Sequence, residues 1–117
     1  MDIRTKRVYD DPAPDDGFRV LVDRLWPRGF KKDQLAAELW LKEAAPSNEL
    51  RKSFRHEPSK WEEFRKHYFS ELDQKQETLE ILFQKAKAGP VTLLYAAKDR
   101  EHNQAIVLKE YLKSKRK

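Results

Sequence analysis

The sequence has 117 residues, of which 38% are charged and 38% apolar, with a net charge of +5 and no cysteine. These totals predict one globular domain over residues 1–117, and the lack of cysteine excludes disulfides, thiolate nucleophiles and cysteine-bound metal centres. No apolar run approaches the roughly 20 residues of a membrane span, and the first residues lack a signal-peptide apolar region, so a cytoplasmic location is expected.

Apolar segments predict the strands of a sheet. Residues 3–9 mix β-branched and aromatic residues with charges, whereas residues 18–22 end in three successive apolar side chains and residues 91–96 form the most apolar segment. Uninterrupted apolar runs are typical of strands covered on both faces, so the segment 91–96 is expected at the centre of the sheet. Pro27 cannot donate to a sheet ladder, so the second strand is expected to end before it. Residues 39–41 are a candidate for one more short strand.

The spacing of apolar residues and the capping residues predict five helices. A weak, short helix is expected over residues 33–37, and Ser47 is a good N-cap for the second helix. Pro58 is expected to open a longer third helix, and Pro90 to follow the end of the fourth. Asp99 is expected to cap the last one. The residues expected to face the core from the last four helices are Leu50, Phe54, Trp61, Phe64, Tyr68, Leu72, Leu79, Leu82, Phe83, Ala86, Ala105, Leu108 and Leu112.

The order of these elements predicts the fold class. Strands that alternate with helices favour an α/β fold, here a small, mostly parallel β-sheet with helices packed on its faces. An α+β domain is the alternative, with an antiparallel hairpin formed by the first two strands across residues 10–17. That connection is short enough for a hairpin and short for a helical crossover.

Polar side chains follow the second and the last apolar strand. In open α/β sheets, ligands bind where strands end at their carboxyl side, and helix N-termini attract anions. We therefore expect one cleft shared by two neighbouring strand ends. Its candidate catalytic residues are Asp23 and His102, and its candidate ligand-binding residues are Arg24, Trp26, Arg28, Tyr95, Lys98 and Asn103.

Each of these residues has a possible role at such a site. Asp23 would be a general base or would orient His102, whose ordinary pKa near neutrality suits a general acid. Arg24 and Arg28 would hold an anion bidentately, so Arg28→Ala is expected to keep the fold and abolish stabilisation by phosphate or sulfate. The structural alternatives are an ion pair between Asp23 and an arginine, and a core or lid position for Trp26.

Other known motifs are missing from the sequence. The three glycines lie far apart, so no glycine-rich phosphate loop is present. His56, His67 and His102 lack the spacing of metal ligands, and no serine sits in a nucleophile elbow. No metal and no cofactor are predicted.

Four blocks of the sequence resemble the DUF488 family, in its YeaO-like branch: VYDDPAPDDGFRVLVDRLWPRG, APSNELRKSF, HEPSKWEEFRKHY and GPVTLLYAAKDREHNQAIVLKEYL. The resemblance implies an α/β domain of unassigned biochemistry. Other branches show an Asp-Arg pair after a related strand and a Cys-His-Arg turn after a late strand. Here the late turn reads Glu101-His102-Asn103 without the cysteine, so thiol chemistry is not carried over. Asp23, Arg24 and His102 match residue by residue.

Three functions are compatible with these observations. The first is a ligand-binding domain or enzyme acting on a phosphate-bearing or other small anionic molecule. The second is a nucleic-acid-binding accessory protein, suggested by the positive charge, the basic C-terminal residues and Trp26 beside Arg28 as a stacking site. The third is a non-catalytic interaction domain. None of them involves a membrane, and the sequence leaves the oligomeric state open.

Overall fold

A four-stranded parallel sheet forms the centre of the computed structural model, which describes residues 1–55 and 57–115. Its strands are β1 (Ile3–Arg7), β2 (Phe18–Leu21), β3 (Leu39–Trp40) and β4 (Val91–Tyr95). They lie in the order β1-β4-β2-β3, and each of the three pairings is parallel. The expected α/β fold is thereby confirmed, with β4 at an interior position of the sheet.

The position of β4 excludes the antiparallel hairpin. Val91 of β4 pairs with Ile3 of β1 on one side and with Phe18 of β2 on the other. Strands β1 and β2 are therefore separated by β4 and run in the same direction. Their connection carries one 3₁₀ turn, Pro14–Asp16, in place of a long crossover helix.

The helices lie close to their expected positions. They are α1 (Lys32–Leu35), α2 (Asn48–Phe54), α3 (Trp61–Asp73), α4 (Gln76–Ala88) and α5 (Gln104–Ser114). Ser47 is the N-cap of α2 as expected, because its hydroxyl accepts a hydrogen bond from the Leu50 N–H. A 3₁₀ turn, Pro58–Lys60, leads directly into α3.

The prediction that Asp99 caps the last helix is wrong. The N-cap of α5 is Asn103, whose side chain accepts from the Ile106 N–H. Asp99 instead accepts from the N–H groups of Glu101 and His102, which closes a turn before the helix begins. Aspartate stabilises such turns as readily as it caps helices, so its identity alone does not separate the two positions.

The two faces of the sheet are covered very differently. Side chains alternate along a strand, so Val20 and Leu93 point to one face and Leu21 and Leu94 to the other. The first pair belongs to the main core, which contains the buried residues of α2, α3, α4 and α5. The second pair forms a small cluster with Val8 and Leu35. We call this group the minor core, and the segment 22–37 covers it.

A buried ion pair holds one end of that segment. Arg19 on β2 and Asp16 are 5% and 4% exposed, and the Arg19 Nη1 donates to Asp16 Oδ2 over 2.5 Å. The same guanidinium donates to the backbone carbonyls of Leu35 and Ala36. Buried charges need such complete partnering, and here it fixes α1 against β2.

Some of the sequence predictions concern residues that the structure does not describe, or the last residues that it does describe. His56, Arg116 and Lys117 lie outside the described residues. In the last described turn, the Lys115 ammonium lies 5.9 Å from the centre of the Tyr111 ring. Within the described ranges, no helix has both the length and the hydropathy needed to cross a bilayer.

Candidate functional site

A cavity of ≈ 240 Å³ lies where β2 and β4 end. These two strands are hydrogen-bonded neighbours, so the segments that follow them diverge from one edge of the sheet. The cavity is bounded by residues 23–27 after β2, by Ala96 and Ala97 after β4, and by parts of α2, α3 and α5. A cavity therefore lies at the carboxyl ends of the strands, the usual location of ligand sites in α/β sheets.

Aromatic rings and prolines form much of the cavity wall. Phe54 of α2 stacks on Phe64 of α3, with ring centroids 4.5 Å apart, and both rings are almost fully buried. Trp26 meets Trp40 edge to face at 5.5 Å, and its indole N–H donates to the Phe30 carbonyl over 2.8 Å. Pro27 and Pro46 are further lining residues. Because of these contacts, the walls of the cavity are largely preformed in the absence of a ligand.

Asp23 supplies a poorly solvated carboxyl group to this cavity. Its Oδ2 accepts from the Ala96 N–H over 2.9 Å, and its Oδ1 accepts from the Gln104 side-chain amide. Burial raises the pKa of Asp23 to about 6 from an ordinary value of 3.8, against the opposing effects of these two hydrogen bonds and of the Arg51 charge. Desolvation disfavours the ionised form, so the carboxyl group titrates just below neutral pH.

This raised pKa predicts a pH-dependent stability difference between the protein and its Asp23→Asn variant. The folded state holds the Asp23 proton more tightly than the unfolded state, so the stability it contributes is fully present below about pH 4 and is lost as pH rises through about 6. The free energy of unfolding of the variant, relative to that of the wild type, should therefore increase by on the order of 1–3 kcal/mol from pH 4 to pH 7.5. Urea unfolding at both pH values measures the change, and a constant difference would contradict the raised pKa.

Three other predicted site residues also line the cavity. Arg24 and Trp26 follow β2, and Asn103 precedes α5. Arg24 is exposed, whereas Asn103 is 1% exposed. The amide of Asn103 is already used, because it caps α5 and donates to the Asp99 carbonyl over 2.9 Å. Asn103 therefore shapes the cavity more than it offers free hydrogen-bonding groups.

The remaining predicted residues do not line this cavity. Arg28 and Lys98 are exposed on the segments after β2 and β4. Tyr95 is 2% exposed in the main core, and burial raises its pKa. Their proposed contacts with a ligand stay predictions, and the structure brings none of the three beside Asp23 in the cavity wall.

His102 has partners other than Asp23. Its Nδ1 lies 3.0 Å from Asp99 Oδ2, and its ring meets Trp61 of α3 edge to face at 5.1 Å. The carboxylate that orients this imidazole is therefore Asp99, which the turn before α5 places three residues away. The expected acid–base arrangement of Asp23 with His102 is not formed as a direct contact.

Comparison with known proteins identifies the family. The family model described as the inactive DUF488-N3 subclade matches residues 2–117. The chain belongs to this DUF488 family. It is 49% identical to the uncharacterised protein YeaO of Escherichia coli over 114 residues, covering 97% of this chain and 99% of that protein. It is also 50% identical over 70 residues to the uncharacterised protein Rv3073c of Mycobacterium tuberculosis, covering 60% of this chain and 59% of that one. No solved structure matches significantly.

The cavity of this DUF488 protein includes residues that were not predicted as site residues. Phe54 and Phe64 were assigned to the core, which they also join, and Gln104 directly follows Asn103. Arg51 lies three positions before Phe54 on α2, and that spacing places two helical side chains on one face. This spacing was the available signal for Arg51. Within residues 1–55 and 57–115, no three histidine or acidic side chains are placed to hold a metal ion.

Proposed function

We propose that this DUF488 protein is a non-catalytic binding domain for a small molecule that joins an apolar body to an anionic group. The observation that carries the proposal is the cavity itself, in which aromatic walls and two arginines occur together. Binding is favoured over acid–base catalysis because Asp23 and His102 have separate partners. The description of the matching subclade as inactive supports the same choice.

The size and walls of the cavity favour a ligand with a single ring or a comparable apolar group. Ligand pockets commonly hold about 300–1,000 Å³ and are lined mainly by hydrophobic and aromatic side chains. The present cavity, at ≈ 240 Å³, lies below that range and has walls of the same kind. Trp26, Phe54 and Phe64 line the cavity, so a planar group inside it would pack against aromatic side chains.

Arg24 and Arg51 supply the preference for an anion. Arg51 donates to Asn48 Oδ1 over 2.8 Å, which leaves most of its N–H groups available. Arg24 makes no hydrogen bond or ion pair to any other residue in the described part of the chain. A guanidinium group binds carboxylate, sulfonate or phosphate oxygens bidentately, so two of them around one cavity favour an anionic ligand.

Nucleic-acid binding and a pure interaction role stay as alternatives. Tyr9 and Trp40 are 55% and 37% exposed, as stacking platforms for single-stranded nucleic acid would be. However, the Arg7 guanidinium lies 4.9 Å from the centre of the Tyr9 ring, and the Lys42 ammonium lies 5.3 Å from that of Trp40. These cations compete for the ring faces that a base would use, so the cavity is the better-supported site.

The proposal predicts saturable binding of 4-methylbenzenesulfonate, a probe with one ring and one permanent negative charge. Titration followed by amide NMR should shift the signals of Ala96, Ala97 and Gln104 on the cavity wall. Arg51→Ala should weaken the affinity at least tenfold, equivalent to about 1.4 kcal/mol, because it removes a guanidinium from the anion site. Thermal unfolding of the unliganded variant checks that the fold is intact.

Lys52→Ala is the matched control for this measurement. It removes the same charge from the next residue of α2, and Lys52 is exposed and outside the cavity lining. Its affinity for the probe should stay within about twofold of the wild type, since screened surface charges contribute little. Equal losses in the two variants would mean that only the general positive field attracts the probe, and the proposed site would be wrong.

A further inference from the structure

We propose that the cavity selects a zwitterionic ligand, whose ammonium or other cationic N–H group contacts Asp23 while its anionic group binds Arg24 and Arg51. This inference rests on the proposed function, because it assigns the second end of the same ligand. The cavity is lined by side chains of both charge signs, the carboxyl group of Asp23 and the guanidinium groups of Arg24 and Arg51. The ligand class is therefore an apolar amine that also carries a sulfonate, carboxylate or phosphate.

The partners of Asp23 are the first reason. In the described part of the chain, its two carboxyl oxygens accept hydrogen bonds only from the Ala96 N–H and the Gln104 amide, both neutral donors. An ionised carboxylate offers about four lone-pair positions, so two donors leave capacity for a third partner. A buried carboxylate gains most from a cationic partner, and the described residues give it none within hydrogen-bonding distance.

Gln104 adds a second acceptor beside the carboxylate. Its amide nitrogen donates to Asp23, whereas its carbonyl oxygen accepts no hydrogen bond from any described residue. Gln104 lines the same cavity as Asp23. An ammonium group has three N–H donors and no acceptor, so a carboxylate and an amide carbonyl together suit it. A second anionic group would find no such partners at this end.

The aromatic lining is compatible with a cation in this cavity. Trp26, Phe54 and Phe64 all line the cavity that Asp23 enters. Ring faces attract a cation that lies within about 6 Å of the ring centre, and the attraction grows when the cation is removed from water. The rings that pack against the apolar body therefore also tolerate a positive charge, as they would not tolerate an unpaired anion.

The titratable groups around Asp23 determine the expected pH dependence. The Arg51 charge from α2 opposes the burial that raises the pKa of Asp23. Burial raises the pKa of the Tyr68 hydroxyl on α3, and the charges of Glu71 and Asp23 raise it further. Asn103 and Gln104, at the start of α5, are neutral, and Arg24 is the adjacent residue in the chain. Arginine and buried tyrosine keep their charge states between pH 5 and pH 7.5, so Asp23 is the group in this set that titrates there.

The test compares two probes that differ by one ammonium group, 4-methylbenzenesulfonate and 4-(aminomethyl)benzenesulfonate. Both keep constant charges between pH 5 and pH 7.5. At pH 7.5 the zwitterion should bind at least tenfold more tightly than the methyl compound. Its advantage should shrink at least fivefold at pH 5, where Asp23 is mainly protonated and the attraction to the ammonium is lost.

Asp23→Asn provides the second arm of the experiment. Asparagine keeps a carbonyl oxygen that can accept from the Ala96 N–H, and it removes the charge. In this variant the two probes should bind with affinities within about threefold of each other at both pH values. If the variant does not fold, the pH dependence of the wild type still decides the question.

The outcomes separate this inference from the proposed function. If both probes bind equally well at pH 7.5, the proposed contact between the ammonium group and Asp23 is wrong, whereas the proposed anion site is retained. If the zwitterion is preferred to the same degree at both pH values and in Asp23→Asn, then Asp23 is not its partner, and the inference is overturned. If neither probe binds, the proposed function itself fails.

Discussion

Leu94→Ala is expected to lower the free energy of unfolding by about 2–5 kcal/mol, the usual cost of truncating a buried leucine. Leu94 is fully buried on the interior strand β4 and belongs to the minor core with Leu21, Leu35 and Val8. Trp26 packs against that cluster, so the cavity left by the truncation lies beneath a wall of the candidate site. Urea unfolding measures the stability, and titration with 4-methylbenzenesulfonate measures the effect on the site.

Leu93→Ala is the matched comparison. Leu93 precedes Leu94 on β4, is equally buried and points into the main core. Its truncation should cost a similar free energy, whereas the affinity of the surviving folded protein for the probe should change less than in Leu94→Ala. A stability loss below roughly 0.5 kcal/mol for Leu94→Ala would contradict its burial on an interior strand. Equal effects of the two variants on affinity would show that the minor core does not support the site.

Gly17→Ala is expected to destabilise the fold by about 3–5 kcal/mol, because backbone strain and a steric clash act together. Gly17 has φ 66° and ψ −132°, a conformation that residues with a side chain rarely adopt. A Cβ atom there would lie 2.2 Å from the Pro90 carbonyl oxygen. That oxygen accepts from the Phe18 N–H over 2.9 Å, so moving it away disturbs the start of the β2–β4 pairing.

The variant Gly29→Ala separates the effect of backbone strain from that of a steric clash. Gly29 has φ 82°, and a Cβ atom built there has no neighbour within 4 Å. Its substitution should therefore show the cost of the backbone conformation alone, about 1–3 kcal/mol. Thermal and urea unfolding of both variants provide the comparison. If Gly17→Ala lowers the free energy of unfolding no more than Gly29→Ala does, then the chain near Pro90 relaxes at no cost, and the close approach of Gly17 to Pro90 does not contribute to the destabilisation.

The sequence predicted the sheet well because its signals are local to each strand. The mostly apolar sequence of β4, without polar alternation, indicated a strand covered on both faces, and that strand lies between β1 and β2. Ser47 and Pro58 marked helix starts through chemistry that acts within one turn. The short connection between β1 and β2 did not exclude the antiparallel hairpin, because the length of a connection does not show whether another strand inserts between the two that it joins.

The cavity lies where the sequence placed the candidate site, and only some of its lining residues were predicted. Asp23 and Asn103 follow predicted strands, and their convergence needed only the parallel pairing of β2 and β4. The contributions of Arg51 and Phe64 depend on how closely α2 and α3 approach the strand ends. Helical periodicity gives the face on which a side chain lies and not its distance from another element. For the same reason the sequence paired His102 with Asp23, whereas Asp99 is its neighbour in space.

Asp23 also bears on the balance between stability and binding. Its raised pKa means that the ionised carboxylate disfavours folding near neutral pH in the absence of a partner. Residues of this kind are common at binding sites, where a group that suits a ligand is less suited to the empty protein. A ligand that compensates the charge would stabilise the fold, and above the dissociation constant each tenfold rise in its concentration would add about 1.4 kcal/mol.

The edges of the sheet have a consequence for solubility. An exposed strand edge is a template on which further chains can add and aggregate, and short or charged edge strands reduce that risk. Here β3 pairs with β2 through only two residues, Leu39 and Trp40. At the other edge, β1 carries Arg4 and Lys6, which form ion pairs with acidic residues of the neighbouring turn. Both edges of the sheet are thus poor templates for strand addition, which lowers the risk of aggregation by that route.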